Sequence, residues 1–500
     1  MSTLFCVERV ARRWCGVTAV VSLFAAALIA LPASVQAQAV VGAKFSIASG
    51  WAGVGSASDG TNFLVPLESD TTAAKVAAQL MSPAGAKIGN LIPLGHDGQS
   101  CCASGAAFDG TNYLVVWEED RGIKNSSAPF LVYGQFISAA GATVGPAIAM
   151  TTAGIWFDGM NMLAYGGGKY LLTYTRLIDP AAGDGSTNRY VAGRIVDPNG
   201  TLGNEFRISP GYGNGSNVAF DGANFFVTWK EDSQDFEVRG AFVSTSGTVV
   251  SEISVNNSAA LSDNPVPLAF DGTNYMVVWS DGVGSAAADV FAQRIKPDGT
   301  KVGGVIAING DAGMQMATGI AFDGTNYVTT WIDMNDNANW DMYGQYVGKD
   351  GVLVGSKFAI NTDATNQFGG VGCANGKCMA LVSSGIVMGG GGPSQVGEVY
   401  GSFLSSAASG APISLVAGWN LLGYSGSAAM DLSQFTSANA QTVWKWVSAT
   451  NKWAFYAPSL SSTELAAYAG NKGYDVLTTI NPGDGFWVNA AQPFTVYLPR

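Results

Sequence analysis

The side chains best suited to chemistry are acidic and come in short runs: Glu118, Glu119 and Asp120; Glu231 and Asp232; Asp281; Asp333, Asp336 and Asp341. Two carboxylates held ~5–10 Å apart could do acid–base or nucleophilic work on a glycosidic bond. Spread along a rim they would instead form a solvated border, since runs of like charge usually face water. Recurrence favours the border, because these acids follow the same kind of hydrophobic stretch several times and a catalytic pair would be unique to one place. All of them but Asp341 make up, with Trp340, the candidate ligand-binding set. Asp333, Asn335 and Asn337 alternate oxygen ligands as a calcium loop does, yet lack the glycine and the final glutamate of an EF-hand. His96 is the single histidine and no Cys-x-x-Cys occurs, which leaves zinc and haem without a ligand set. His96 close to Cys101 and Cys102 could be read as a thiol nucleophile, or as a surface histidine beside a vicinal disulfide. No Gly-x-Ser-x-Gly elbow occurs, and the glycines at 389–392 lack the Lys-Ser/Thr of a phosphate loop.

What must position these groups is a repeat. Phe108-Asp109-Gly110-Thr111-Asn112-Tyr113, ending at Trp117, recurs around Asp59, Asp221, Asp271 and Asp323, and in worn form at Gly166 and Asn375. The steps between these positions are 50, 57, 55, 50, 52 and 52 residues. A period near fifty with β patterning throughout indicates propeller blades. Each unit reads as four strands. A short, small-residue inner strand such as 105–108 is followed by an Asp-Gly turn. A Val- and aromatic-rich second strand such as 113–117 comes next. After a longer loop, a third strand such as 132–137 turns at a second glycine, Gly141, into an outer strand at 147–149. This order puts the tight turns on one face of the ring. The second-to-third and fourth-to-first loops, with the acids, lie on the other, where binding residues usually sit.

The two ends complement each other. Residues 44–48 read as an outer strand with nothing before it, and the seventh copy lacks one after 399–404. The N-terminal strand is therefore expected to complete the last blade and close a seven-bladed all-β propeller over 40–408; a miscount through the copy at Gly166 would give six. From residue 412 to 500 the pattern changes to a small β-rich module, with a hairpin across 448–451 and one helix from Ser462. Its Trp419, Trp444, Trp446, Trp453, Tyr456 and Trp487 could stack on sugars, but a small β module also fills its core with such rings, and that reading weighs more.

These motifs resemble the bacterial exported seven-bladed propellers with FDGTNY-type repeats, followed by a C-terminal module with Gly-Trp-Asn-Leu and Gly-Phe-Trp-Val. The chain lacks the Trp-Asp and His signature of the Trp-Asp repeat family and the Ser-x-Asp-x-Gly-x-Thr-Trp box of sialidases. The fold alone carries little about function.

Residues 1–37 read as a signal peptide: a basic start, an apolar run from Val17 to Leu31 too short to span a membrane, and Val35-Gln36-Ala37 for cleavage after Ala37. Losing Arg9, Arg12, Arg13 and Glu8 with it takes the net charge from −12 to −14. A chain so acidic repels phosphate and is a poor partner for nucleic acid. No membrane span is expected after cleavage, and export favours disulfides: Cys373 and Cys378 flank a turn, and Cys101 and Cys102 are the other pair. The expectation is a secreted, periplasmic or cell-surface binding or adhesion protein for a protein or carbohydrate ligand, with no cofactor beyond the calcium candidate. A propeller glycoside hydrolase or lyase with carboxylates in the central funnel is the alternative.

Overall fold

The computed structural model describes residues 40–498 except 54, 70–74, 96–99, 120–129, 153–154, 157–162, 179–188, 232–236, 257–265, 282–287, 337–338, 386, 390–391, 396, 405–411, 425–429, 431, 433–434 and 438. The leader, His96, Asp120, Asp232 and Asn337 lie outside the described residues, as do the side chains of Cys101, Cys102, Asn335 and Asp336.

The chain is a β-propeller followed by a smaller sheet. Successive antiparallel meanders are built alike, for example Gly213–Phe220, Asn224–Glu231, Val238–Ser244 and Val249–Asn256. The second strands are buried on both faces, and their period-two alternation shares them between neighbouring sheets. Leu114 and Val116 pack with Tyr170, Leu172 and Tyr174 of the following sheet, whereas Tyr113, Val115 and Trp117 pack with Leu64, Ala78 and Leu80 of the preceding one. The same two-sided packing continues through every junction and returns from Met379, Leu381 and Phe403 to Phe63, Val65 and Leu67.

The repeated motif is a turn and a clasp. Asp109 Oδ1 accepts the N–H groups of Thr111 and Asn112 at 2.7 Å, and Gly110 takes φ 94°, which a side chain would resist. Asp59, Asp221, Asp271 and Asp323 do the same. The tyrosine of the next sheet then reaches back: Tyr170 to the Asn112 carbonyl at 3.3 Å, Tyr275 to that of Asn224 at 3.4 Å and Tyr327 to that of Asn274 at 2.7 Å. Burial, then the aspartate of that same turn, pushes each of these phenols up. Where the preceding turn has no aspartate, at Gly166 and Asn375, the following sheet carries Phe225 and Phe63 in the tyrosine slot.

The N-terminal strand closes the ring. Val40–Gly53 pairs along Gly397–Leu404, with Phe45 opposite Gly401 and Ser46 opposite Tyr400, and its far end reaches Glu68 and Leu67. Its Lys44, Phe45 and Ile47 repeat Lys357, Phe358 and Ile360 of the outer strand of the preceding sheet. Lys44 pairs with Asp363 and lies 4.5 Å from the Tyr400 ring; Lys357 pairs with Asp311 and lies 4.8 Å from Tyr343. Phe45 covers Gly401 as Phe358 covers Gly344.

Two details depart from expectation. Inner strands are longer than four residues, so Cys101 and Cys102 belong to Ser100–Phe108 and not to a loop. Gly389 and Gly392 face each other in a small two-stranded ladder, Val387–Gly389 with Gly392–Gln395, because the chain pairs with itself there. Cys373 and Cys378 are disulfide-bonded across the turn at Asn375 and Gly376, with φ of 45° and 75°. Replacing both with serine is expected to cost about 2 kcal/mol through the freed unfolded chain. The measurement is a urea midpoint that falls at constant slope; an unmoved midpoint would mean the turn holds itself.

The C-terminal sheet orders Gly418–Gly423, Gly485–Ala490, Ala440–Val447, Lys452–Tyr456 and Asp475–Val476. One face packs Leu422, Val443, Phe486 and Val488 with Tyr424, Phe435 and Ile480. Helix α1, Ser462–Lys472, is capped by Ser461 with Glu464 and ends at Gly473, and its Leu465 packs on Phe455.

Candidate functional site

The acids expected to form a loop rim are mostly strand ends. The ladder runs on to Glu119 opposite Leu131, Lys230 opposite Val238, Asp281 opposite Asp289 and Asp333 opposite Asp341. Glu118 and Glu119 are fully buried, and Glu119 accepts the Trp117 indole N–H at 3.3 Å. Asp333 is 8% exposed. Glu231 accepts Arg239 Nε at 2.7 Å, and the same guanidinium lies 3.0 Å from Glu237 and 3.5 Å from Glu252. Burial lifts the Glu252 carboxyl, against the pull of Arg239. A solvated border therefore fails as a description of Glu118, Glu119 and Asp333: the strands extend further than their hydrophobic stretch and carry these acids under cover.

The calcium candidate is likewise drawn into a ladder. Asp333 and Asn335 lie in Asn326–Asp336, which pairs with Asn339–Gly348, the strand holding half-buried Trp340, as far as Asp336 opposite Asn339. Among the described residues no three His, Cys, Asp or Glu side chains converge on one point.

The inner strands are set by close approach. A Cβ at Gly319 would lie 3.3 Å from Gly370 Cα of the next inner strand, and one at Gly372 would lie 2.3 Å from Ser56 Oγ. Small residues there let neighbouring backbones meet, and no described inner strand carries Asp or Glu.

Buried amides on the loop-bearing edge were not singled out by sequence. Gln315 opens an inner strand, is 0% exposed, and neither of its amide atoms has a partner among the described residues. Gln367 holds the same position in the next sheet: its Nε2 donates to the Asp363 carbonyl at 3.0 Å and its Oε1 has no partner among the described residues. Asn309, just ahead of Gln315, has a buried Nδ2 with no partner among the described residues. The sequence signal was there in the parallel runs Asn309-x-Asp311-Ala312-x-x-Gln315 and Asn361-x-Asp363-Ala364-x-x-Gln367. Buried amides are normally satisfied, so such a group is a place for water or a ligand.

The C-terminal aromatics divide: Trp444 and Tyr456 pack against core clusters as expected, and four indoles do not. Trp419, Trp446, Trp453 and Trp487 are 56, 45, 38 and 38% exposed, and Leu421 is 62% exposed. The core of this sheet is filled by Phe435, Phe486, Tyr424 and aliphatic residues, leaving the indoles on the other face. The motif residues around them have structural roles. Asn420 Oδ1 accepts the Val416 N–H at 3.0 Å and its Nδ2 donates to the Val416 and Gly418 carbonyls at 2.8 and 2.9 Å. Asp484 accepts Lys445 Nζ at 2.7 Å and the Asn481 N–H at 2.6 Å. Trp419 and Trp487 stand outside both arrangements.

No family model matches the chain. No curated protein matches it in sequence. Among solved structures, the WD40 domain of Neurospora crassa Pan2 aligns with a TM-score of 0.41 at 8% identity, covering 70% of this chain and 89% of that one. A subtype N10 neuraminidase-like protein of A/little yellow-shouldered bat/Guatemala aligns with a TM-score of 0.39 at 10% identity, covering 74% and 99%. Likeness at this level speaks to neither activity nor ligand.

Proposed function

We propose that the chain is an exported, non-enzymatic binding or adhesion protein. In this reading residues 40–408 form a ring of seven blades, residues 412–500 form a separate accessory module, and the ring takes its ligand on the edge bearing the variable loops. The observation that carries the proposal is the buried Gln315 amide on that edge, with both hydrogen-bonding atoms unpartnered among the described residues. Gln367 and Asn309 extend the same polar ledge. The opposite edge is taken up by the Asp-Gly turns and their tyrosine clasps, which leaves it little freedom to vary. Nothing favours the funnel-carboxylate hydrolase, since the described inner strands hold no acid.

The test is a binding screen of the mature chain against glycans and cell-surface polymers. A ligand is expected, and Gln315→Leu should weaken it by about tenfold, the equivalent of one lost hydrogen-bonding group. Retention of full affinity in Gln315→Leu, or no ligand at all, would count against the rim.

A further inference from the structure

We propose that the exposed face of the C-terminal sheet is a second site, one that binds an uncharged glycan chain independently of the propeller rim. The sheet register sets out this face in rows. Trp419, Asn489 and Thr442 make one row, and Leu421, Trp487, Trp444 and Phe455 the next. In the third, Gly423 pairs with Gly485 and Trp446 with Trp453, and the ladder between the two pairs ends one step short of them, at Lys445 opposite Phe486. The two glycines are a floor with open space above it. A Cβ at Gly423 would meet nothing within 4 Å, and one at Gly485 would meet only the Leu422 carbonyl at 3.9 Å. Leu421 and Trp487 flank this floor on one side and Trp446 closes one end.

The walls are oriented without being buried. Trp419 and Trp487 sit edge to face at 6.5 Å and 81°, as do Trp446 and Trp453 at 5.4 Å and 72°. Helix α1 covers only the Trp444–Phe455 part through Leu465 and Tyr468. Such pairs fix the ring planes while leaving area free, and an indole face suits the C–H side of a sugar ring.

Charge and area select the occupant. No residue in the three rows is charged, although the chain carries a net charge of −12, and Lys445 and Asp484 pair with each other below the sheet surface. A polyanion would be repelled by the chain, and a cationic partner would find no counter-charge on this face. The exposed parts of the four indoles and Leu421 amount to roughly 500 Å². That falls short of the ~800 Å² per partner that a stable protein interface needs. It is ample for a few stacked sugar rings.

The experiment uses the full mature chain and soluble neutral hexasaccharides of β-1,4-glucose, β-1,4-N-acetylglucosamine and β-1,3-glucose, read by tryptophan fluorescence and calorimetry, with polygalacturonate as the charged control. At least one neutral chain should bind and polygalacturonate should not. Trp487→Ala and Trp446→Ala should each weaken binding about tenfold. Gly485→Val should do the same while keeping every indole, with an unchanged urea midpoint because the space is open. Gln315→Leu should leave this binding untouched, which separates the site from the rim. Binding of none of the neutral chains would overturn the proposal, as would full affinity in Gly485→Val. Self-association abolished by Trp487→Ala, with no glycan bound, would assign the face to a second copy of the chain instead.

Discussion

Truncating Phe45 to alanine should cost about 3 kcal/mol, and deleting residues 40–48 should leave a chain that no longer unfolds in one step. The ring is a line of meanders until its last sheet receives its outer strand, and that strand comes from the other end of the sequence. Phe45 is the residue that seats it. On its own sheet it lies over Gly401, where a Cβ would come within 2.3 Å of the ring, and it packs against Phe403 at 5.0 Å. Across the junction it lies under the turn at Gly85, at 2.7 Å from where a Cβ would be. Other outer strands place Ile148, Phe206 and Ile253 under Gly200, Gly247 and Gly299 in the same way. Removing the ring opens a cavity at both contacts, and the surroundings are β-sheet that cannot collapse into it. Without residues 40–48, Val399–Leu404 becomes a free edge, and free edges pair with other chains. Urea unfolding of Phe45→Ala and sedimentation of the truncated chain are the measurements. A truncated chain that stays monomeric and unfolds with the parent midpoint would show that closure does not depend on this strand.

What the sequence made legible was whatever repeats. The Asp-Gly spacing, the orphan outer strand at 44–48, the disulfide across Asn375 and Gly376 and the helix from Ser462 all depend on local pattern, and local pattern survives folding. Side chains whose fate depends on what lies above them were harder. Glu118 and Glu119 read as rim because acids normally end a strand, yet the ladder runs past them. The C-terminal tryptophans read as core because a small module needs large rings. Alternation shows that Trp487 and Phe486 face opposite ways, but nothing local tells which face the rest of the chain covers. The amides at Gln315 and Gln367 drew no notice because a single Gln has no pattern, and only their placement makes them unusual.

The aspartates of the repeat should respond to substitution in opposite directions, although they look identical in sequence. Asp271→Ala is expected to cost about 3 kcal/mol. Its Oδ1 serves the N–H groups of Thr273 and Asn274 at 2.7 Å in a buried turn, and an alanine leaves both without an acceptor. Asp323 makes the same two bonds, but the slot that would hold the next tyrosine holds Cys378, already committed to Cys373. Its Oδ2, like that of Asp271, is buried and unpartnered among the described residues, and burial pushes the Asp323 carboxyl up, over the pull of the two backbone donors. A carboxyl raised in the folded state stabilises it only while protonated, so this contribution is complete below the unfolded value of about 3.9 and is lost as pH rises through the folded one. Asp323→Asn keeps the oxygen that the turn needs and removes the charge. It should therefore raise the thermal midpoint at pH 7, with the gain vanishing below about pH 4. Asp59 is the counter-case. Some burial raises its carboxyl, but the Asn62 and Thr61 N–H groups and the Asn62 and Tyr113 side chains outweigh that and hold it low. Asp59→Asn should lower the midpoint at pH 7, and that loss should disappear as pH falls through the depressed value. Thermal unfolding of the three variants between pH 3 and 8 decides the matter. Parallel pH profiles for Asp59→Asn and Asp323→Asn would mean that the missing tyrosine is not what sets Asp323 apart.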